Sequence, residues 1–276
     1  MLSDDIRAYL LPKAFNAAVR AGWEIMEVYK NKDDYDISAK SDKTPVTLAN
    51  RLAHEKIKES LGQTRIPILS EEGRQMLYDE RRNWELFWLV DPLDGTVEFI
   101  KGNNEFTVNI ALMSERACIC AVIYVPYLQK VYVASRDVGS FLIEGIAPSA
   151  EASYSYDEIC TLKQRLPLES CNHNCYRIAV SRSHQTIETQ QYIDAIQCIR
   201  RDVEIIEQGS SYKFCLLAEG SIDYYPRTTH TYEWDTAAAE LILAEAGGVT
   251  LSLPDNKPLE YNKENLQNPW FVARRK

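Results

Sequence analysis

The chain has no apolar run of membrane-spanning length, and Asp4, Asp5 and Arg7 break up the N-terminal stretch where a secretory leader would lie. A soluble, cytoplasmic protein with no integral membrane segment is expected. It also lacks an even, secretory-type cysteine set: the seven cysteines (Cys118, Cys120, Cys160, Cys171, Cys175, Cys198, Cys215) are an odd number without export context, so reduced thiols are expected. Cys171-Asn-His173-Asn-Cys175 has no second ligand pair at the spacing a structural zinc site needs, which leaves it as a polar connector with spare thiols. Positive charge is short as well. A net charge of −9 excludes nucleic-acid polymers and anionic membranes as main partners, but not a small anion held by a local cluster of metal and basic groups. Internal repeats and low-complexity tracts are absent, which excludes solenoid and linker-like architectures. What remains is a 276-residue chain, 45% hydrophobic, with enough apolar material for one large domain or two smaller ones.

Within it, one stretch concentrates the chemistry. Leu86-Phe87-Trp88-Leu89-Val90 reads as a buried strand that delivers Asp91 and Asp94 into a turn punctuated by Pro92 and Gly95. Two carboxylates aimed at one point repel unless a cation lies between them, and hard oxygen donors favour Mg²⁺, Mn²⁺ or Ca²⁺; the carbonyl of Leu93 is a further candidate ligand. The amides of Gly95 and Thr96 could hold an anion. Metal and anion cradle together suggest phosphate chemistry. An isolated Asp-x-x-Asp-Gly is most often an ordinary acidic turn, but two other segments bring acids to element ends. Pro67-Ile68-Leu69 runs as a short strand into Ser70-Glu71-Glu72-Gly73, and Glu233-Trp234-Asp235-Thr236 opens a strongly helix-forming run that stops at Gly247-Gly248. At that helix start Asp235 also has the bland role of a cap.

These segments carry a resemblance. Ser70-Glu71-Glu72, the run from Asp91 to Lys101, and Trp234-Asp235-Thr236-Ala237-Ala238 resemble the three metal motifs of the inositol monophosphatase superfamily. Glu105 to Leu112 and Gly209 to Gly220 resemble its CysQ-type 3'(2'),5'-bisphosphate nucleotidase branch. The match runs from about residue 14 to about residue 270. It implies the layered α/β/α/β/α sandwich of the sugar phosphatases, an α+β half beside an α/β half.

The order of elements agrees with that class. Residues 5–30 carry apolar groups at near-helical spacing; residues 37–47 read as a short strand and loop; Leu48 to Leu61 reads as a second helix with Thr47 as N-cap. Lys43 and Asp42 lie in a loop that faces the active site in the resembling family. The charge-dense segment 73–85 is expected to be a mobile surface loop or short helix. Phe106 to Met113, Ala117 to Val125 and Val131 to Ala134 read as antiparallel strands. Residues 144–175 are the expected boundary between an N-terminal α+β subdomain (1–150), which carries the metal motifs, and a C-terminal α/β subdomain (151–276), the two forming one catalytic unit. In the second half, strands at 176–181, 203–206 and 222–225 alternate with helices at 186–199 and 209–218.

The resemblance implies a metal site of Glu71, Asp91, the Leu93 carbonyl, Asp94 and Asp235 holding two or three Mg²⁺ ions, with Mn²⁺ as a substitute. Catalysis is assigned to Glu71, Glu72, Asp91, Asp94, Thr96 and Asp235, with Glu72 and Thr96 orienting an attacking water and direct hydrolysis without a phosphoenzyme. Substrate contacts fall on Gly95, Thr96, His184, Ser210, Lys213, Arg227 and Asp235, where Lys213 and Arg227 supply a basic site for a second phosphate. The implied activity is removal of the 3'-phosphate from adenosine 3',5'-bisphosphate, or its sulfated relative, giving AMP, within sulfur assimilation and nucleotide recycling, with Li⁺ sensitivity. Peripheral association with the inner membrane is a further implication of the family; oligomeric state is not assigned. A haloacid dehalogenase type phosphatase also has Asp-Gly-Thr, but its aspartates stand two positions apart, whereas Asp91 and Asp94 are three apart with Pro92 between. Two alternatives stand beside the nucleotidase: an inositol monophosphatase-like sugar phosphatase, and a weakly active phosphonucleotide-binding regulator. The second arises because Asn50 replaces an acid in Val46-Thr47-Leu48-Ala49-Asn50; in the resembling enzymes that acid helps hold a third, loosely bound metal through water.

Overall fold

The computed structural model describes residues 3–31, 35–39, 45–169 and 174–276. In chain order the first half holds α1 (Asp4–Lys30), β1 (Ser38–Ala39), β2 (Pro45–Val46), α2 (Leu48–Gly62), β3 (Ile68–Ser70), α3 (Tyr78–Arg81), β4 (Leu86–Asp94), α4 (Thr96–Lys101), β5 (Thr107–Ser114), β6 (Ala117–Val125), β7 (Lys130–Ser135) and β8 (Gly139–Glu144). There follow α5 (Tyr156–Leu162), β9 (Gln164–Arg165), β10 (Tyr176–Ser181), α6 (Ile187–Ile199), β11 (Val203–Gln208), α7 (Tyr212–Glu219), β12 (Tyr224–Arg227), α8 (Glu233–Glu245), β13 (Val249–Ser252) and β14 (Phe271–Arg274).

Two mixed sheets organise the molecule. The first has seven strands in the order β3-β4-β5-β6-β7-β8-β9, and the second has five in the order β11-β10-β12-β14-β13. In β4 the period of two divides one apolar run between two cores: Trp88 and Val90 face the core built with α1 and α2, while Phe87 and Leu89 face the core built with α7 and α8. The helix α8 packs across the first sheet and also reaches β13, and α6 covers β10 and β12 on the far side. The layers therefore run α1/α2, seven-stranded sheet, α7/α8, five-stranded sheet, α6, which is the α/β/α/β/α sandwich.

Local chemistry starts the helices where the sequence indicates. The Ser3 hydroxyl accepts the Ile6 amide ahead of α1, and Thr47 caps α2. Segment 73–85 contains the short helix α3, one of the two forms expected of it, but its charges are not all solvated: Arg81 is buried, donating to the Asn262 side chain (2.8 Å) and the Glu264 carbonyl (3.0 Å), so one charge of that run anchors it to the distant chain end. Residues 144–175 hold α5 and β9, and β9 extends the first sheet beside β8. Asp91 and Asp94 lie within the last four residues of β4, at a bulge, so the acids sit where the strand ends, as the sequence indicates. The loop with Asp42 and Lys43, and Cys171 and His173 of the rejected zinc pattern, lie outside the described residues. Cys118, Cys120, Cys160, Cys198 and Cys215 are free thiols, and no described helix is long and apolar enough to cross a membrane.

Candidate active site

The bulge of β4 faces a cleft of about 220 Å³ between the two sheets, lined by Glu71, Asp91, Leu93, Asp94, Gly95, Thr96, His184, Ser210, Lys213, Arg227 and Asp235. Every site residue expected from the sequence lines it except Glu72, whose carboxylate accepts the Asn50 side-chain amide that also donates to Thr96.

Each acid is held by its own element. Asp91 accepts the Leu93 amide at 3.0 Å, bending the strand end, and hydrogen-bonds to Glu71, whose backbone is paired to Val90 across β3 and β4. Asp94 accepts the Ser211 amide at 2.5 Å and the Asn109 side-chain amide at 3.5 Å. Asp235 returns one oxygen to the Tyr232 amide at 2.9 Å, the cap of α8, while the residue borders the cleft. Its bland and its chemical roles coexist. Glu233, fully buried beside it, accepts the Lys263 ammonium (2.6 Å) and the amides of Asn262 (2.6 Å) and Lys263 (3.0 Å), fixing the start of α8.

Burial first, then the Glu71, Asp94 and Asp235 charges, push the Asp91 carboxyl well above the usual carboxylate range. Asp235 is driven up by burial and by Asp94 and Glu71. Burial raises Asp94 too, against the opposing pull of Lys213 and the Ser211 amide. Such a cluster is poorly tolerated without a cation.

Opposite the acids lie the basic groups. Lys213 is buried, with Nζ donating to the carbonyls of Gln208 (2.9 Å) and Ser210 (2.7 Å), which leaves the third ammonium proton for a ligand. Burial and the neighbouring Arg227 pull its pKa down to about 7. Arg227 bonds the His230 carbonyl at 3.3 Å at the cleft edge. His184 takes its backbone position from Ser181, whose hydroxyl accepts the His184 amide at 3.2 Å, and burial and Arg227 hold its imidazole below the ordinary range.

Comparison with known proteins decides the family. The pattern described as "Inositol monophosphatase family" matches residues 7–270. The chain belongs to the inositol monophosphatase family. A curated relative, "3'(2'),5'-bisphosphate nucleotidase CysQ" from Escherichia coli O6:H1, is 36% identical over 265 residues, covering 95% of this chain and 98% of that protein. The protein of the same description from Buchnera aphidicola is 38% identical over 241 residues, covering 87% and 83%. The solved structure of CysQ from Bacteroides thetaiotaomicron, "a bacterial member of the inositol monophosphatase family", shares a TM-score of 0.89 and 41% identity over 98% of both chains.

Enzymes of the inositol monophosphatase family are metal-dependent phosphatases, and the donor set here fits such a metal. Among the described residues no three His, Cys, Asp or Glu side chains stand in finished ligating geometry. Yet the acids around the β4 bulge and the Leu93 carbonyl offer only oxygen donors, and the mutual repulsion that raises Asp91 and Asp235 is what a hard divalent cation would relieve.

Membership of the family also makes the unforeseen residues stand out. Ser211 and Thr107 share a 2.8 Å hydrogen bond, and Ser211 donates to Asn109 at 2.8 Å, so β5 holds the turn that holds Asp94. Thr107 and Asn109 are polar residues two apart in a stretch that is otherwise apolar as far as Met113, the one sequence signal that marks them. Glu98 is buried in the cleft wall, and Tyr232 and Trp234 stack at 5.0 Å beside it; neither carries a local signal.

Asn50 departs from its expected part. Its Oδ1 accepts the Thr47 amide (2.9 Å) and hydroxyl (2.8 Å), and its Nδ2 donates to Thr96 (3.1 Å) and Glu72 (3.3 Å). The Thr47 amide can only donate, which sets the orientation: the oxygen serves the helix cap and the nitrogen faces Glu72 and Thr96.

Proposed function

We propose that this protein is a Mg²⁺-dependent phosphatase that removes the 3'-phosphate of adenosine 3',5'-bisphosphate, giving AMP. One observation carries the reading. Four carboxylates (Glu71, Asp91, Asp94, Asp235) and two basic groups (Lys213, Arg227) line a single cleft, so one phosphate can sit at the acids while a second is held across the gap. The relatives described as bisphosphate nucleotidases support the same substrate class.

When bound, two or three Mg²⁺ ions, or Mn²⁺ in their place, would supply an activated water and neutralise the leaving oxygen. The proposed metal ligands are Glu71, Asp91, the Leu93 carbonyl, Asp94 and Asp235. Thr96 donates to the Leu93 carbonyl at 3.2 Å and accepts from Asn50, so its hydroxyl is oriented for the nucleophile, with Glu72 one hydrogen bond behind. The amides of Gly95 and Thr96 open α4 without intrahelical partners and are proposed to receive phosphoryl oxygens. Lys213, Arg227, Ser210 and His184 bind and orient the nucleotide. Residues 1–150 supply the acids except Asp235, residues 151–276 supply Asp235 and the basic groups, and the two halves act as one cytoplasmic catalytic unit.

The test is product analysis. Incubation with adenosine 3',5'-bisphosphate and Mg²⁺ should yield 5'-AMP and phosphate, and chelation should stop it. Adenosine 3'-monophosphate as the product, or release unaffected by chelation, would overturn the assignment. Tight nucleotide binding without hydrolysis would favour the regulator.

A further inference from the structure

We infer that Glu105 is a positioning residue that sets specificity, tying the loop that carries His184 to the turn that carries Ser210 and leads into the helix of Lys213. The inference rests on the nucleotidase reading and names what keeps its nucleotide half in register.

Glu105 does not line the cleft. Its carboxylate receives the Arg182 guanidinium as a fork, Nε to Oε2 at 2.8 Å and Nη2 to Oε1 at 2.7 Å, and the Gly209 amide donates to Oε2 at 2.8 Å. Arg182 lies two residues before His184, and Gly209 directly precedes Ser210. The same guanidinium also reaches the Glu207 carbonyl at 2.8 Å and carboxylate at 3.1 Å, closing a ring from β11 through Arg182 to Glu105 and back to Gly209. The Glu105 side chain is 15% exposed and that of Arg182 36%, so this bidentate pair is shielded more than an ordinary surface bridge.

The backbone repeats the pattern. A Cβ on Gly209 would lie 2.8 Å from the Glu105 carbonyl and 2.4 Å from Glu98 Cγ, and one on Gly95, at φ +88°, would lie 2.8 Å from that same carbonyl. Both glycines are therefore needed for close approach to residue 105. The metal half has separate support, since Ser211 is held to Asp94, Thr107 and Asn109 whatever Glu105 does. Loosening Glu105 should release the Gly209 amide and leave Arg182 held by Glu207 alone, so that the 182–184 and 209–210 segments lose one of their ties while Asp94 keeps its partners. A nucleotide that spans both segments would lose affinity, and free phosphate at the acids would not.

The variants Glu105→Gln, Arg182→Gln and the double change test this, each checked for an unaltered melting profile. For the single variants, KM for adenosine 3',5'-bisphosphate and the inhibition constant of 5'-AMP should rise about tenfold, the scale of a charge-assisted hydrogen bond. The inhibition constant of inorganic phosphate and kcat should stay within about twofold, and the double variant should weaken binding by less than the two single effects combined, because the Arg182–Glu105 fork is lost in each while only Arg182→Gln also loses Glu207. Equal weakening of AMP and phosphate, unchanged KM, or additive effects would overturn the proposal. A wild-type enzyme that ignores the bisphosphate would overturn the nucleotidase reading itself, and this inference with it.

Discussion

The Asn50 amide nitrogen stands 3.3 Å from a Glu72 carboxylate oxygen, and the Asn50 oxygen is spent on Thr47. A neutral donor thus occupies a place where an acid would oppose Glu72. Replacing Asn50 with Asp keeps the acceptor for Thr47 but deletes the donor to Glu72 and Thr96. In metal-free protein this should lower stability by roughly 1–3 kcal/mol, the cost of an unmade buried hydrogen bond. Mg²⁺ should restore the loss, so the variant's melting temperature should respond to Mg²⁺ more steeply than that of the wild type. A gain in kcat of at least about tenfold is then expected, at saturating Mg²⁺ alone. Identical Mg²⁺ responses in the two proteins would show that Asn50 does not feel the metals.

Asp94→Asn should cut turnover by about 10²-fold or more, since a metal ligand supplies several kcal/mol of transition-state stabilisation. The fold should survive: an Asn oxygen can still accept the Ser211 amide, and one source of repulsion toward Asp235 is gone. Circular dichroism and a metal-free melt check this; an unfolded or fully active variant contradicts it.

The raised carboxyls of Asp91 and Asp235 give the metal-free protein a pH signature. Their folded pKa values exceed the ordinary 3.8, so between that value and the raised ones the folded state binds more protons than the unfolded. Stability therefore falls as pH rises through the window, and below it the penalty is absent. Because the lowered pKa values of Lys213 and His184 work in the opposite direction, the check is a difference: relative to wild type, metal-free Asp91→Asn should gain stability from about pH 5 to about pH 8. A variant whose melting temperature follows the wild type's at both pH values would contradict the raised Asp91 carboxyl.

Lys213 titrates from the opposite side. With its pKa pulled down to about 7, the ammonium is present below that pH and lost above it. KM for the bisphosphate should rise from about pH 6 to about pH 8 as the charge disappears. Lys213→Arg should remove the slope. A wild-type KM independent of pH would mean that Lys213 serves only the Gln208 and Ser210 carbonyls.

Much of this was legible before any coordinates. The helical spacing of α1, the Thr47 cap and the apolar run of β4 are local features that tertiary packing reinforces. The acids of the three motifs were legible because each sits at an element end. Long-range partnerships were not. Arg81 reads as one charge in a solvated run because its partner Asn262 lies 181 positions away, and Glu105 gives no sign of Arg182, 77 positions on, or Gly209, 104 positions on. β8 and β9 were missed for a different reason: Gly139 and the proline-rich stretch around Pro148 and Pro167 look like punctuation, although sheet pairing absorbs them. The orientation of Asn50 needed the Thr47 amide, a contact of the fold.

The most direct measurement is the ratio of kcat/KM for adenosine 3',5'-bisphosphate to that for inositol 1-phosphate, in the same Mg²⁺ buffer. A cleft that pairs four acids with Lys213 and Arg227 predicts a ratio of at least about tenfold in favour of the bisphosphate, one charge-assisted contact's worth. A ratio near one, or in favour of inositol 1-phosphate, would contradict the nucleotide assignment and leave a sugar phosphatase of the same family.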